Sequence, residues 1–113
     1  MSDLRVGVFG FGALGRHHTR ILGDLPGVER VGVHDPRPEA ARAAAEELGA
    51  TTFDRFEALA DSLDAAVVAA PTTEHAALAE ALLGRGVHVL VEKPIAGSLE
   101  EADRMIEAAE RAG

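Results

Sequence analysis

The fold is decided by a stretch near the start of the chain, Val6-Gly7-Val8-Phe9-Gly10-Phe11-Gly12-Ala13-Leu14-Gly15. The apolar run over 4–9 predicts a buried strand, and the apolar residues that come next at helical spacing predict a helix over 13–25. Between strand and helix, Gly10 permits a tight turn, Gly12 lets a pyrophosphate approach the backbone, and Gly15 allows close helix–strand packing. The helix N-terminus adds unpaired N–H groups and a positive dipole end, which favour phosphate. A plain structural turn is the alternative interpretation.

The rest of the chain alternates between short apolar runs and helical patterns. Further strands are predicted over 28–34, 50–53, 65–70 and 87–91, further helices over 36–48, 74–83 and 98–111, and a short helix or turn over 56–63. The inward faces of the last two helices are predicted to carry Ala77, Leu78, Ala81 and Leu82, and then Leu99, Ala102, Met105, Ile106 and Ala109. Ser98 and Glu101 have capping-box spacing. This alternation predicts an α/β fold, a doubly wound parallel sheet of five strands of the Rossmann type.

Length, charge and composition exclude several classes of protein. The 113 residues suit one domain, and 47% of them are apolar, which is enough for a core. A formal net charge of −8 argues against binding to nucleic acid or to anionic membranes, because both need a basic face. Without cysteine there is no disulfide and no thiolate zinc site. The sequence shows neither a signal peptide nor a membrane-spanning apolar run, so we expect a cytoplasmic protein.

An acidic residue comes after the second predicted strand, where a dinucleotide site needs one. Asp35 lies 20 residues after Gly15, and an acid at this place accepts hydrogen bonds from the adenosine ribose hydroxyls. Capping of the helix that begins near Pro36 is an alternative role, and both roles are compatible. Asp35 would repel a 2′-phosphate, which favours NAD over NADP. Arg37 weakens that preference, because a nearby Arg accommodates the 2′-phosphate.

The fourth predicted strand ends in a polar loop at the same sheet edge. Pro71, Thr72 and Thr73 follow the strand and precede the next helix. Ligands of open α/β sheets bind at the carboxyl ends of the strands, so this loop is predicted to meet the cofactor. Either threonine is also suited to cap the helix. His75 lies in the first helical turn, where it either lines the nicotinamide side of the site or lies on the helix surface.

The fifth predicted strand ends in Glu92-Lys93-Pro94. Lys93 is the only lysine among eleven basic residues. Unlike Arg, a partly buried Lys changes its pKa readily, so Lys93 is a candidate for orienting a substrate hydroxyl or assisting proton transfer. An ordinary loop lysine is the alternative. Glu92 is predicted to pair with Lys93 or to contact the cofactor.

The other histidines indicate no metal site. His17 and His18 are adjacent on a helix and point in different directions, so we interpret them as surface residues rather than metal ligands. His34 and His88 lie in predicted strands and are expected in the core or at the sheet edge. No His, Asp or Glu cluster in the sequence has convincing metal-ligand spacing.

These motifs together resemble those of the Gfo/Idh/MocA oxidoreductases, the glucose–fructose oxidoreductase and inositol dehydrogenase family. The resemblance covers the whole chain in order, through the segments Val6–Gly12, Gly15–His18, His34–Pro36, Pro71–His75 and Val87–Pro94. It implies NAD(P)-linked oxidation or reduction of a sugar, nucleotide-sugar or cyclitol hydroxyl, with Lys93 in the active site. It also implies that the cofactor contacts the glycine loop, including Phe11, Ala13 and Leu14. The helix start and the Pro71–His75 loop are most similar to members that oxidise the 3-hydroxyl of UDP-N-acetylglucosamine.

The chain departs from the family pattern after the last predicted helix, where it ends. Family members continue with a sixth strand and a second domain that carries the substrate pocket and the usual oligomer interface. Residues 1–113 are therefore expected to be a truncated or excised cofactor domain that meets its substrate through the missing domain and forms homo-oligomers. A stand-alone nucleotide-binding or sensing module without catalysis is the alternative. A methyltransferase-like domain is disfavoured by Asp35 and by the Glu-Lys-Pro motif.

Overall fold

The structure, a computed structural model, describes residues 3–92, 96 and 98–112 and forms one parallel sheet with helices on both faces. Within those residues the strands are β1 (Leu4–Phe9), β2 (Val28–His34), β3 (Ala65–Val68) and β4 (His88–Val91). The helices are α1 (Ala13–Asp24), α2 (Pro38–Leu48), α3 (Phe56–Ala60), α4 (Thr72–Gly84) and α5 (Leu99–Ala112). The strand order is β2-β1-β3-β4, and every neighbouring pair is parallel. The doubly wound Rossmann prediction is thus confirmed.

The predicted count of five strands is wrong: the described sheet has four. Residues 50–53 form only an isolated bridge, in which Thr52 lies beside Val33 at the outer edge of β2. The Val33 N–H donates to the carbonyl of Thr51, and the Phe53 N–H donates to the carbonyl of Val33, each at 2.9 Å. The Phe53 ring then lies over Gly32, in space that a side chain there would occupy. The run therefore pairs with β2 at a single residue of that strand, Val33, and turns away before a ladder forms.

The two faces of the sheet bury separate apolar clusters. One cluster joins α1 and α2 to the sheet, and its buried members are Val6, Val8, Phe11, Val33, Ala40, Ala44, Ala50 and Val67. The other joins α3 and α4 to the opposite face, and its buried members are Phe9, Leu59, Ala60, Ala66, Val68, Leu82 and Val87. Because successive residues of a strand point to opposite faces, the continuous apolar runs of β1 and β3 supply both clusters.

The predicted inward faces of α4 and α5 need correction. In α4 the buried residues are His75, Ala76, Ala79 and Leu82, whereas Ala77 is exposed. In α5 only Met105 and Ala108 are buried, whereas Leu99, Ile106 and Ala109 are exposed. The α5 helix packs mainly on α4, where Met105 forms a small buried cluster with Ala76 and Ala79. Ser98 does begin α5 as predicted, since its Oγ accepts a hydrogen bond from the Glu101 N–H at 3.2 Å.

Within the described residues, no helix has both the length and the apolar character that a bilayer crossing requires.

Candidate cofactor site

A cleft of about 730 Å³ opens at the carboxyl ends of β1, β2 and β3. Its described lining is Phe9, Gly10, Phe11, Gly12, Ala13, Leu14, His34, Asp35, Pro36, Arg37, Ala69, Ala70, Pro71, Glu74 and Leu78. The helix after β1 covers one face of the sheet, and the helix after β3 covers the other. The cleft therefore lies at the topological switch point of the sheet, where open α/β folds bind their ligands.

Gly10 and Gly15 allow the loop after β1 to pack against its neighbours. Gly10 has φ +102°, and a Cβ atom there would lie 2.6 Å from the backbone nitrogen of Ala70. A Cβ atom on Gly15 would collide with the carbonyl oxygen of Gly10. Both positions therefore exclude any side chain. Gly15 lies buried beneath the loop and is not among the residues that line the cleft.

Gly12 differs from these two glycines because the space beside it is open. A Cβ atom there would meet no atom of the described structure within 4 Å, although Gly12 lines the cleft. Gly12 also precedes α1, which has no side-chain cap, and its carbonyl accepts the hydrogen bond of the Arg16 N–H at 2.9 Å. The N–H groups of the first helical turn are thus left for a ligand, together with the positive end of the helix dipole. A pyrophosphate fits this arrangement.

Asp35 lies directly after β2 and joins the two loops of the cleft. Its side chain is only 3% exposed. The carboxylate oxygen Oδ2 accepts a hydrogen bond from the Phe11 N–H at 2.8 Å, and Oδ1 accepts one from the Arg37 N–H at 2.9 Å. Phe11 therefore offers its N–H to Asp35 rather than to a phosphate. These bonds hold the carboxylate in place beside the glycine loop.

The Arg37 side chain forms a fork on the same carboxylate. Its Nε donates to Oδ1 of Asp35 at 3.0 Å, and its Nη2 donates to Oδ2 at 2.9 Å. The Arg37 side chain is 55% exposed, so the pair has one buried and one solvated member. The hydrogen bond to Asp35 raises the pKa of Arg37, and the carboxylates of Glu39 and Glu74 add to that increase.

Asp35 is an anion in this environment. Burial by itself would raise the pKa of its carboxyl group, but the hydrogen bonds from the Arg37 side chain and from the two backbone N–H groups outweigh that effect. The pKa of Asp35 consequently lies below its ordinary value. A buried, ionised carboxylate at the end of β2 is suited to accept hydrogen bonds from vicinal hydroxyls.

The loop after β3 forms one wall of the cleft through Ala69, Ala70 and Pro71. The helix α4 begins at Thr72, preceded by Pro71, and no side chain caps it, so the predicted capping by a threonine is wrong. Neither Thr72 nor Thr73 is among the described lining residues. The fixed φ of Pro71 and the hydrogen bond from the Glu74 N–H to the Pro71 carbonyl, at 2.9 Å, start the helix instead.

His75 supports this wall from inside. Only 2% of the residue is exposed, so the helix-surface interpretation is wrong. Its Nε2 donates a hydrogen bond to the carbonyl of Ala70 at 2.7 Å. His75 thus contacts the loop from beneath and is not among the lining residues. The hydrogen bond to the Ala70 carbonyl offsets the cost of removing the polar Nε2 group of His75 from water.

Glu92 follows β4 and pairs with α1. Its Oε2 lies 3.0 Å from Nε2 of His18, and both side chains are about one quarter exposed. This pairing corrects the interpretation of His18 as a surface residue. Pairing of Glu92 with Lys93 or with the cofactor stays a prediction. His17 is exposed and accepts a hydrogen bond from Arg20, as expected for a surface residue. Lys93 and Pro94 lie outside the described residues, and so does any contact of theirs with Glu92.

The geometry agrees with the comparisons to known proteins. The family model described as "Oxidoreductase family, NAD-binding Rossmann fold" (Gfo/Idh/MocA) matches residues 4–113. The chain belongs to the Gfo/Idh/MocA family of oxidoreductases. The predicted resemblance is thereby confirmed.

Two curated members of the Gfo/Idh/MocA family illustrate the range of relatives. UDP-N-acetylglucosamine 3-dehydrogenase of Acidithiobacillus ferrooxidans is 39% identical over 106 residues, which are 94% of this chain and 33% of the relative. Glucose-6-phosphate 3-dehydrogenase of Bacillus subtilis is 36% identical over 107 residues, 95% of this chain and 31% of the relative. The chain spans about one third of the length of these enzymes.

Solved structures of family members superpose closely on the chain. The Acidithiobacillus ferrooxidans enzyme gives a TM-score of 0.91 at 38% identity, over 99% of this chain and 35% of the other. The WlbA dehydrogenase of Bordetella pertussis, solved in complex with NADH and UDP-GlcNAcA, gives 0.88 at 32% identity, over 100% of this chain and 35% of the other. The sheet and helices described above are therefore those of the family's NAD-binding domain.

Several lining residues were not predicted from the sequence, namely Phe9, His34, Pro36, Ala69, Ala70, Glu74 and Leu78. Most of them directly follow or end a strand, so the rule that ligands bind at strand ends would have found them. His34 was expected in the core or at the edge, yet it lines the cleft while its Nδ1 donates to the Phe53 carbonyl at 2.9 Å. Among the described residues, no group of three or more His, Asp or Glu side chains is arranged to hold a metal ion.

Proposed function

We propose that the chain binds NAD in the cleft and forms the cofactor-binding part of a dehydrogenase that acts on a sugar, nucleotide-sugar or cyclitol hydroxyl. One observation carries the proposal: the open face of Gly12 and the uncapped start of α1 lie in one cleft with the buried Asp35 carboxylate. The first two features suit a pyrophosphate, and the third suits a ribose. This combination is what a dinucleotide requires and a lone phosphate does not.

The chain's own residues divide the binding task. The N–H groups that begin α1, around Gly12, Ala13 and Leu14, would hold the pyrophosphate. Asp35 would accept hydrogen bonds from the adenosine ribose, and the loop that contains Ala70 and Pro71 would border the nicotinamide half. Hydride transfer is the chemistry that a nicotinamide dinucleotide supplies once bound. Thr72, Thr73 and His75 would support the wall of the cleft rather than touch the cofactor.

NAD is favoured over NADP by the charge at the end of β2. Asp35 is ionised and buried, and its negative charge would repel a 2′-phosphate. The Arg37 guanidinium is paired with that carboxylate in the free protein, so it offsets this repulsion only if it leaves Asp35. The structure of the Bordetella pertussis relative with NADH agrees with this preference.

Lys93 is proposed to assist proton transfer to or from the substrate hydroxyl. The residue before it is placed at the same sheet edge as the cleft, because the Glu92 N–H donates to the carbonyl of Val68 at 3.0 Å. Lys93 itself lies outside the described residues. The role rests on its chemistry as a cation that exchanges a proton, which Arg does not do.

The substrate class is proposed from the relatives. The names of three of them specify UDP-N-acetylglucosamine, glucose 6-phosphate and scyllo-inositol, all polyols with a secondary hydroxyl. Hydride transfer needs that hydroxyl carbon held against the nicotinamide, so we propose that a further substrate domain completes the site. From the family resemblance alone, we propose that the full protein is a homo-oligomer. The relatives named above are dehydrogenases, and they give no support to a non-catalytic sensing module.

A titration with NADH, followed by the fluorescence of the cofactor, tests the proposal. We expect saturable binding to the wild-type chain and loss of at least about 90% of the affinity in Asp35→Asn, since a hydrogen bond to a buried charge is worth about a factor of ten. Asp103→Asn is the matched control, because Asp103 is exposed on α5 and makes the same change of charge. Wild-type chain that is folded by circular dichroism yet binds no NADH would refute the proposal.

A further inference from the structure

The acceptor capacity of the Asp35 carboxylate is full in the free protein. Oδ1 accepts from the backbone N–H and Nε of Arg37, and Oδ2 accepts from the Phe11 N–H and Nη2 of Arg37. An ionised carboxylate offers about four lone-pair positions, two on each oxygen. No position remains for a ribose hydroxyl, so the site as it stands is closed to the ligand that Asp35 is suited to bind.

The four donors differ in how easily they leave. The two backbone N–H groups belong to the loops that join β1 to α1 and β2 to α2, and their removal would require those loops to move. The guanidinium stands on a flexible side chain that is 55% exposed. Its departure would free one lone pair on each oxygen. A vicinal diol donates two hydrogen bonds side by side, as the guanidinium fork does.

We infer that Arg37 occupies the ribose-diol position in the free protein and must release Asp35 before a dinucleotide can bind. The inference rests on the proposed function and deepens it, because it assigns to Arg37 the control of cofactor affinity and choice. A release of this kind is a competition: the carboxylate binds either its own guanidinium or the ribose.

Other carboxylates can attract the guanidinium of Arg37 once it has left Asp35. The carboxylates of Glu39 and Glu74 act on Arg37 through their charge, and Glu74 lines the cleft beside it. A 2′-phosphate would be a stronger partner, since it is a doubly charged anion at the position where the guanidinium is displaced. Arg37 therefore weakens the binding of NADH, because its guanidinium competes with the ribose hydroxyls for Asp35. It strengthens the binding of NADPH, because the released guanidinium pairs with the 2′-phosphate.

The experiment measures the dissociation constants of NADH and NADPH for the wild-type chain, Arg37→Gln and Arg42→Gln. Arg42 is exposed on the same helix, α2, so its replacement makes the same change of charge away from Asp35. In Arg37→Gln we expect NADH to bind up to about fivefold more tightly, the factor that a half-exposed ion pair contributes. We expect NADPH to bind about tenfold more weakly, because a charge-assisted contact is lost. Arg42→Gln should change the two constants equally or not at all.

The outcomes separate this inference from the proposed function. Wild-type chain that binds NADH, together with Arg37→Gln that binds it equally or less tightly, overturns the competition and leaves the proposed function standing. Failure of all three folded chains to bind NADH overturns both. Binding by Arg37→Gln alone supports the competition in its strongest form. Arg37→Lys keeps the charge but cannot form the fork, so it should bind NADH more tightly than wild type and provides the test if Arg37→Gln does not fold.

Discussion

At the residue scale, the three glycines of the loop after β1 serve different purposes. Gly10 and Gly15 have backbone atoms where a side chain would go, so they are required by the fold itself. Gly12 has open space on that side and φ −89°, which any residue adopts. The fold does not need a glycine at position 12, whereas a pyrophosphate close to the backbone does.

Replacement of Gly12 should therefore separate binding from stability. We expect Gly12→Ala to fold with an unchanged melting temperature, yet to bind NADH at least about tenfold more weakly, because the methyl group would lie where the pyrophosphate approaches. Gly84→Ala is the matched control, since its added Cβ also meets nothing within 4 Å, at the far end of α4. Calorimetry and the NADH titration measure the two quantities. Unchanged affinity in Gly12→Ala would show that the phosphates lie elsewhere.

At the scale of elements, the His18–Glu92 pair ties the first helix to the last strand. His18 lies on α1, and Glu92 follows β4, two strands away from β1 in the sheet. The side chains are 25% and 22% exposed, so solvent screens their interaction less than it screens the surface pairs. The pair fixes the end of β4 relative to the helix that borders the glycine loop.

A double-mutant cycle should detect this connection. We expect His18→Gln and Glu92→Gln to show a coupling free energy of about 1 kcal/mol in urea unfolding, the size typical of a side-chain hydrogen bond. The pair Glu107 and Arg111 on α5 is the control: its atoms are 4.0 Å apart and both side chains are about 70% exposed, so its coupling should be near zero. Additive effects at His18 and Glu92 would mean that the contact does not stabilise the fold.

The elements also show where sequence patterns stop being informative. The glycine loop, Asp35 and the alternation of strands and helices have strict physical requirements, so they could be predicted. The inward face of α4 could not, because the helix is apolar on most sides and alanine contributes little contrast between faces. The strand predicted over 50–53 failed for another reason: whether an edge run pairs depends on where Phe53 packs, which local sequence does not specify.

The pair of hydrogen bonds from the Arg37 guanidinium to Asp35 likewise could not be predicted from the sequence. Both residues were predicted to bind the cofactor, and their order along the chain shows that they are close. Only the structure shows that the two hydrogen bonds of the guanidinium fill the acceptor positions that a ribose needs. Side-chain pairing of this kind depends on rotamers, and these are set by the packed environment rather than by spacing.

At the scale of the whole molecule, the described residues bury two apolar clusters on opposite faces of the sheet and a third, smaller one between α4 and α5. The cluster beneath α3 and α4 includes Leu59 and Leu82, both fully buried, beside residues of β1 and β3. The cleft lies at one end of α4, where His75 contacts the loop that carries Ala70. Leu82 lies two turns further along the helix, roughly 10 Å at 1.5 Å per residue. Leu82 does not line the cleft, although Phe9 belongs both to this cluster and to the cleft lining.

A core substitution on α4 should consequently weaken the fold without altering the cleft. We expect Leu82→Ala to lower the free energy of unfolding by about 2–5 kcal/mol, since it removes buried methyl groups and leaves a cavity that the sheet cannot close. Leu99→Ala makes the same change on α5 at a side chain that is 84% exposed, and should cost less than about 0.5 kcal/mol. At a temperature where Leu82→Ala is still folded, it should bind NADH with wild-type affinity. An NADH affinity that falls with stability would show instead that the cleft is held open by the core beneath α4.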